Sequence, residues 1–137
     1  MEERELMELA SVSRNNAYSP YSGFRVGAAL LTKSGKVFTG CNVENASYGA
    51  TCCAERTAVY KAVSEGEREF VAIAIKGDSA GFTFPCGICR QVLMEFSPSL
   101  KIILSNGNQE IKTFTLYDLL PKAFESEIMS KKGDGDN

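Results

Sequence analysis

Histidine is absent from this chain of 137 residues, and so is tryptophan. Without an imidazole, Ser-His and Cys-His nucleophilic mechanisms are excluded. Any bound metal must then be held by thiolate or carboxylate. A basic surplus is missing as well: 15 Lys and Arg stand against 17 Asp and Glu, for a formal net charge of -2 and a pI near 5.3. That balance gives no electrostatic reason to expect a phosphate-backbone partner. No apolar run approaches the roughly 20 residues that span a bilayer. The start, Met1-Glu2-Glu3-Arg4-Glu5, is acidic and lacks the apolar stretch of a secretory signal. The expectation is a soluble protein of the cytoplasm.

What is present is ordinary in bulk and unusual in detail. A hydrophobic fraction of 44% and a charged fraction of 23% are those of a globular protein. At this length one domain, residues 1–128, with a flexible tail over 129–137, is the economical organisation. The unusual detail is five cysteines: Cys41, Cys52, Cys53, Cys86 and Cys89. In a reducing compartment an odd set of thiols points to metal ligation or catalysis before disulfides.

Along the chain, apolar spacing predicts a helix over 3–17, ended by the Pro20 and Gly23 segment. Strands are expected over 26–31 and 37–41, joined by a turn at Lys33-Ser34-Gly35-Lys36. Residues 42–51 read as a polar loop, and helical spacing resumes over 53–64. The apolar run 70–75 suits a strand covered on both faces. A helix over 87–96, strands over 101–104 and 111–114, and a short helix near 115–120 complete the series. That order predicts a mixed sheet layered with helices, an α/β protein.

Two short motifs carry the chemistry: Cys53-Ala54-Glu55 and Pro85-Cys86-Gly87-Ile88-Cys89. Thiolates at helix starts are favoured by free backbone N–H groups and the positive end of the helix dipole. The Cys86-x-x-Cys89 spacing lets both sulfurs reach one ion. By itself it would equally suit a redox pair or half of a structural metal site. Spacing alone leaves Cys52 and Cys53 both open as the third ligand: Glu55 lies three residues after the former and two after the latter. Three thiols without a fourth protein ligand describe a catalytic zinc site that keeps a position for water. Soft thiolate ligands favour zinc. Glu55 then becomes the candidate proton carrier, against the plainer reading of a glutamate that satisfies a helix N-terminus. Three thiolates around Zn²⁺ leave one net negative charge. Arg56, on the same helical face as Cys53, is the candidate to offset it, with Arg90 as the alternative.

These residues are the cysteine-type variant of the H-x-E and P-C-x-x-C pattern of zinc deaminases. The chain resembles the short, homotetrameric type of cytidine deaminase over residues 1 to about 128. The resemblance rests on Tyr18-Ser19-Pro20-Tyr21-Ser22, the segment from Phe24 to Leu30, the segment from Gly40 to Tyr48, Cys53-Ala54-Glu55-Arg56, and the run from Pro85 to Gln91. It implies hydrolytic deamination of cytidine and 2′-deoxycytidine in pyrimidine salvage, with Cys53, Cys86 and Cys89 holding one zinc and Glu55 shuttling protons. It also implies that Phe24 stacks on the pyrimidine, and that Asn42 and Glu44 bond the sugar hydroxyls. Ala54 would line the substrate site, and Gln91 would join Arg56 in supporting the ligands. Tyr48 and Phe124 would complete the active sites of neighbouring subunits in a homotetramer. The implied fold is a three-layer α/β/α sandwich around a mixed five-stranded sheet, and Cys52 becomes a buried or partly buried free thiol.

Three other readings compete. A blasticidin-type deaminase is disfavoured by the segment Asn42-Val43-Glu44-Asn45-Ala46, and an enzyme acting within a polynucleotide by the acidic balance. A zinc-stabilised interaction module would require a fourth protein ligand, and none is evident near the motifs.

Overall fold

Alternation of apolar residues on both faces makes the central strands what they are. In a strand successive side chains point to opposite faces, so a strand covered twice must be apolar at nearly every position. The computed structural model describes residues 1–126. The expected tail, and residues 127–128 of the expected domain, lie outside the described residues.

The elements are α1 (Glu3–Arg14), β1 (Val26–Thr32), β2 (Val37–Cys41), a 3₁₀ turn (Tyr48–Ala50), α2 (Ala54–Ser64), β3 (Phe70–Gly77), α3 (Gly87–Phe96), β4 (Lys101–Ser105), β5 (Ile111–Thr115) and α4 (Leu116–Leu119). The five strands form one sheet in the order β2-β1-β3-β4-β5. Pairing is antiparallel except between β3 and β4. That parallel pair needs a crossover connection, and α3 supplies it.

Each face of the sheet carries its own core. Ala28, Leu30, Ile73, Ile75, Ile102 and Leu104 face α2 and α3, and pack with Ala58, Val59, Leu93 and Met94. Ala29, Ala72, Ala74 and Ile103 face α1, and pack with Leu6, Met7 and Ala10. The expected three layers are therefore present. Full burial of a Leu or Ile side chain stabilises by about 1.5–3 kcal/mol, so the larger α2/α3 side holds most of the hydrophobic stabilisation. Two glycines set how closely the layers approach. A Cβ on Gly27 would lie 2.5 Å from the backbone N of Arg14. One on Gly40 would meet the carbonyl of Ala54 and lie 2.6 Å from the backbone N of Ala58.

Helix α1 stops at Arg14, short of the expected 17. The chain leaves it because Tyr18 pairs elsewhere: its N–H donates to the Asn42 carbonyl, and its carbonyl accepts from Glu44 N–H. The loop 42–51 is more ordered than polarity alone implied, with a bridge between Val43 and Cys52 as well as the 3₁₀ turn. At the C-terminal end Thr115 closes β5, and Asp118 accepts a hydrogen bond from its N–H at the start of α4. Among the described residues no helix is long and apolar enough to cross a membrane.

Candidate active site

Strands β2 and β3 both run antiparallel to β1, and hence in the same direction. Helices α2 and α3 follow them and lie on the same face, so both begin at the carboxyl edge of the sheet. That edge is where α/β sheets present their ligand sites. Cys53 and Cys86 are the residues that cap these two helices, each in extended backbone just before the first turn. Cys89 is the third residue of α3 and is buried. The first-turn N–H groups of both helices have no intrahelical partner, and they face the region where the sulfurs sit.

The three Sγ atoms lie within 4.8 Å of one another, and Cys53 Sγ is 3.6 Å from Cys86 Sγ. A disulfide would bring two sulfurs to about 2.05 Å. Sulfurs bound to one tetrahedral zinc at about 2.3 Å stand roughly 3.8 Å apart. No disulfide is formed among the three cysteines, and the spacing is that of ligands around one zinc ion. Of the two neighbours that sequence spacing left open, Cys53 is the one whose sulfur lies in the cluster. Cys52 is half-buried and turned away, with the Thr57 hydroxyl 3.6 Å from its sulfur.

Electrostatics agree with a cation site. A hydrogen bond from Cys89, with help from Arg56, pulls the Cys53 thiol down to about 5. The same contact with Cys53, together with burial, pushes Cys89 up. Three crowded thiols hold one negative charge well; a divalent cation is what makes thiolates of them all. Arg56 Nη2 lies 3.5 Å from Cys53 Sγ and donates to the Thr51 carbonyl at 3.3 Å. Its Nε is buried without a partner among the described residues. Burying that guanidinium costs free energy, which the neighbouring thiolate charge offsets.

Glu55 is the second residue of α2 and only 4% exposed. Burial pushes its carboxyl up to about 7, opposed by its own backbone N–H and reinforced by the charge of Cys53. A buried carboxyl of raised proton affinity beside the thiol cluster is suited to taking and returning protons.

The remaining expected residues fall into two groups. Phe24, Asn42 and Glu44 come together where the segment leading into β1 meets the loop that follows β2. The Asn42 side chain is buried and bridges the backbone there, accepting from Val26 N–H and donating to the Phe24 carbonyl, both at 2.9 Å. Glu44 accepts from the N–H groups of Tyr21 and Ser22 at 2.9 and 3.1 Å. Tyr48 stands 77% exposed with its ring edge-on to Tyr21, and Phe124 is 73% exposed. The other group makes contacts of its own. Arg90, the alternative to Arg56, donates instead to the carbonyls of Pro85 and Leu119 at 2.8 and 2.6 Å. Gln91 donates to the Phe124 carbonyl at 2.8 Å, tying down the C-terminal segment. The Ala54 side chain is wholly buried in the core. Sequence reasoning passed over Thr51 and Ser22. Thr51 acts through a backbone carbonyl that any residue carries; Ser22 lies inside the quoted 18–22 motif.

With this geometry in hand, the relatives are informative. The profile of the cytidine and deoxycytidylate deaminase zinc-binding region matches residues 1–105. A cytidine deaminase of Halalkalibacterium halodurans is 50% identical over 131 residues, covering 95% of this chain and 99% of its own. The chain belongs to the cytidine deaminase family. The cytidine deaminase of Sporosarcina psychrophila is 47% identical over 131 residues, with 95% of this chain and 96% of its own covered. The crystal structure of cytidine deaminase from Burkholderia pseudomallei superposes with a TM-score of 0.87 at 51% identity, covering 90% of this chain and all of that one. The zinc-binding region of that family spans Cys53, Cys86 and Cys89, the three residues whose sulfurs cluster closely enough to hold one metal ion.

Proposed function

We propose that this cytidine deaminase hydrolyses cytidine and 2′-deoxycytidine to uridine and 2′-deoxyuridine, releasing ammonia, as a step of pyrimidine salvage in the cytoplasm. The observation that carries the reading is a buried carboxyl, Glu55, two residues after a thiol of the three-cysteine cluster. Bound by those cysteines, zinc supplies a Lewis acid that makes a water ionisable near neutral pH.

Glu55 accepts a proton from the attacking water and delivers it to ring N3 as oxygen bonds to C4. It then takes the remaining proton from the new C4 hydroxyl and passes it to the amino group, which leaves C4 as ammonia while the carbonyl forms. Its raised proton affinity suits both directions of transfer. Burial of Glu55 keeps bulk water from competing for those protons. Arg56 offsets the thiolate charge through Cys53. On this reading Phe24 stacks on the pyrimidine, while Asn42 and Glu44 meet the sugar. The buried Ala54 side chain leaves only its backbone for the substrate.

The reading extends to a homotetramer whose neighbouring subunits complete each site with Tyr48 and Phe124. Its support is the surface of the single chain: both rings, with Tyr18, Tyr21, Tyr60 and Tyr117, are at least half exposed. Aromatic residues are enriched at interfaces between proteins. Cytidine turnover followed by ultraviolet absorbance and ammonia release, on metal-quantified protein, tests the reaction. Turnover with one zinc per chain is expected; zinc-loaded protein inert on both nucleosides overturns the substrate. Sedimentation of the same sample tests the assembly, and a monomer overturns it.

A further inference from the structure

The loop that carries Phe24 and the loop that carries Glu44 are joined through one side chain. The Ser22 hydroxyl oxygen accepts the Phe24 N–H at 3.0 Å, and Glu44 Oε2 lies 2.5 Å from the same oxygen. Because the serine oxygen is already accepting, and a carboxylate has no proton to offer, the direction of the second bond is settled: Ser22 donates to Glu44. Glu44 Oε1 meanwhile accepts the two backbone N–H groups of Tyr21 and Ser22. An ionised carboxylate has about four acceptor positions. Two are filled on Oε1 and one on Oε2, so the position left for a ligand hydroxyl is on Oε2, beside Ser22. Phe24 is held from its other end too, since its carbonyl accepts from Asn42. The Ser22 hydroxyl also acts first among the causes that hold the Glu44 carboxyl below the usual carboxylate range, keeping it an acceptor.

We infer that Ser22 is a positioning residue for nucleoside recognition, setting the Glu44 carboxylate and the Phe24 ring in one register so that sugar and base are read together. This rests on the proposed roles of Glu44 and Phe24 at the substrate. Ser22 touches neither the reacting atoms nor the metal ligands. Its loss therefore acts on binding and leaves the proton transfers of Glu55 in place.

The experiment compares Ser22→Ala, Ser22→Thr, Glu44→Ala and the Ser22→Ala/Glu44→Ala double variant as zinc-loaded protein. Ser22→Ala is expected to raise KM for cytidine about ten-fold, with kcat within about two-fold of wild type, as loss of a charge-assisted hydrogen bond would. Melting temperature and zinc content should stay at wild-type values. Ser22→Thr, which keeps the hydroxyl, should restore KM. In the Glu44→Ala background the Ser22 change should raise KM by less than it does alone, because only the Phe24 contact remains to be lost. Should Ser22→Ala not fold, Ser22→Cys keeps the volume while weakening both bonds, and the same rise in KM is expected. An active enzyme in which Glu44→Ala raises KM but Ser22→Ala does not overturns the inference alone. A chain inert on cytidine, or one in which Glu44→Ala leaves KM unchanged, overturns the underlying substrate reading and this inference with it.

Discussion

Replacing Glu55 by Gln separates proton transfer from everything else the site does. The substitution keeps shape and volume at a position only 4% exposed, so the α2 start stays filled. Burial already pushes this carboxyl up to about 7. At neutral pH the amide therefore removes a poorly solvated charge, not a stabilising one, and the variant should fold. The three cysteines are untouched, so zinc should stay at one per chain. What is lost is the carrier of every proton in the reaction. General acid–base catalysis contributes roughly 10²- to 10⁴-fold. Because so little of Glu55 meets solvent, bulk water cannot take its place, and the loss belongs at the upper end, about 10⁴-fold or roughly 5 kcal/mol in the barrier. The assay is cytidine turnover by absorbance on samples matched for zinc by elemental analysis. Turnover within ten-fold of wild type, with zinc retained, would refute the reasoning and return Glu55 to the part of a helix-start carboxylate.

Other perturbations read other parts of the molecule. Arg56→Ala removes the guanidinium 3.5 Å from Cys53 Sγ; zinc affinity should fall about ten-fold, measured by competition with a chelator, while the far-ultraviolet circular dichroism stays unchanged. Gly40→Ala places a methyl 2.6 Å from the backbone N of Ala58 and against the carbonyl of Ala54. Prying α2 from β2 should cost roughly 1–3 kcal/mol in urea unfolding, with reduced zinc retention because Cys53 moves with the helix. Asp78 lies below its ordinary 3.8, chiefly through hydrogen bonds from Arg25. A depressed carboxyl stabilises the fold above its unfolded pKa and loses that contribution as pH falls through its folded pKa. The Asp78→Asn deficit in melting temperature should therefore be present at pH 7, shrink only below the ordinary 3.8 and vanish once pH has fallen through the lower folded value, and this partly exposed pair accounts for under about 1 kcal/mol.

Much of this molecule was legible before any coordinates, because local physics wrote it into short stretches of chain. The run Phe70–Ile75 has no polar face, so it had to be covered on both sides, and it forms β3 against α1 on one face and α2 and α3 on the other. The motifs at Cys53 and Cys86 announced helix starts, since a thiolate gains most where backbone N–H groups are free. The absence of histidine left thiols to hold a metal. The composition of the site was thus largely a matter of sequence.

Its arrangement was not. Cys52 and Cys53 are neighbours with the same chemistry, and only the turn of the chain into α2 decides which sulfur meets Cys86 and Cys89. Arg56 and Arg90 each follow a ligand cysteine closely, yet one reaches sulfur while the other is drawn to the carbonyls of Pro85 and Leu119. Helix α1 ends at Arg14 because Tyr18 finds partners in residues 42–44, which no local pattern records. The role of Ser22 depends on a carboxylate 22 positions away in the chain. Residue types and local periodicity determine which groups a site contains. Distances between groups far apart in sequence are set by how the layers pack, and metal binding and proton transfer depend on those distances.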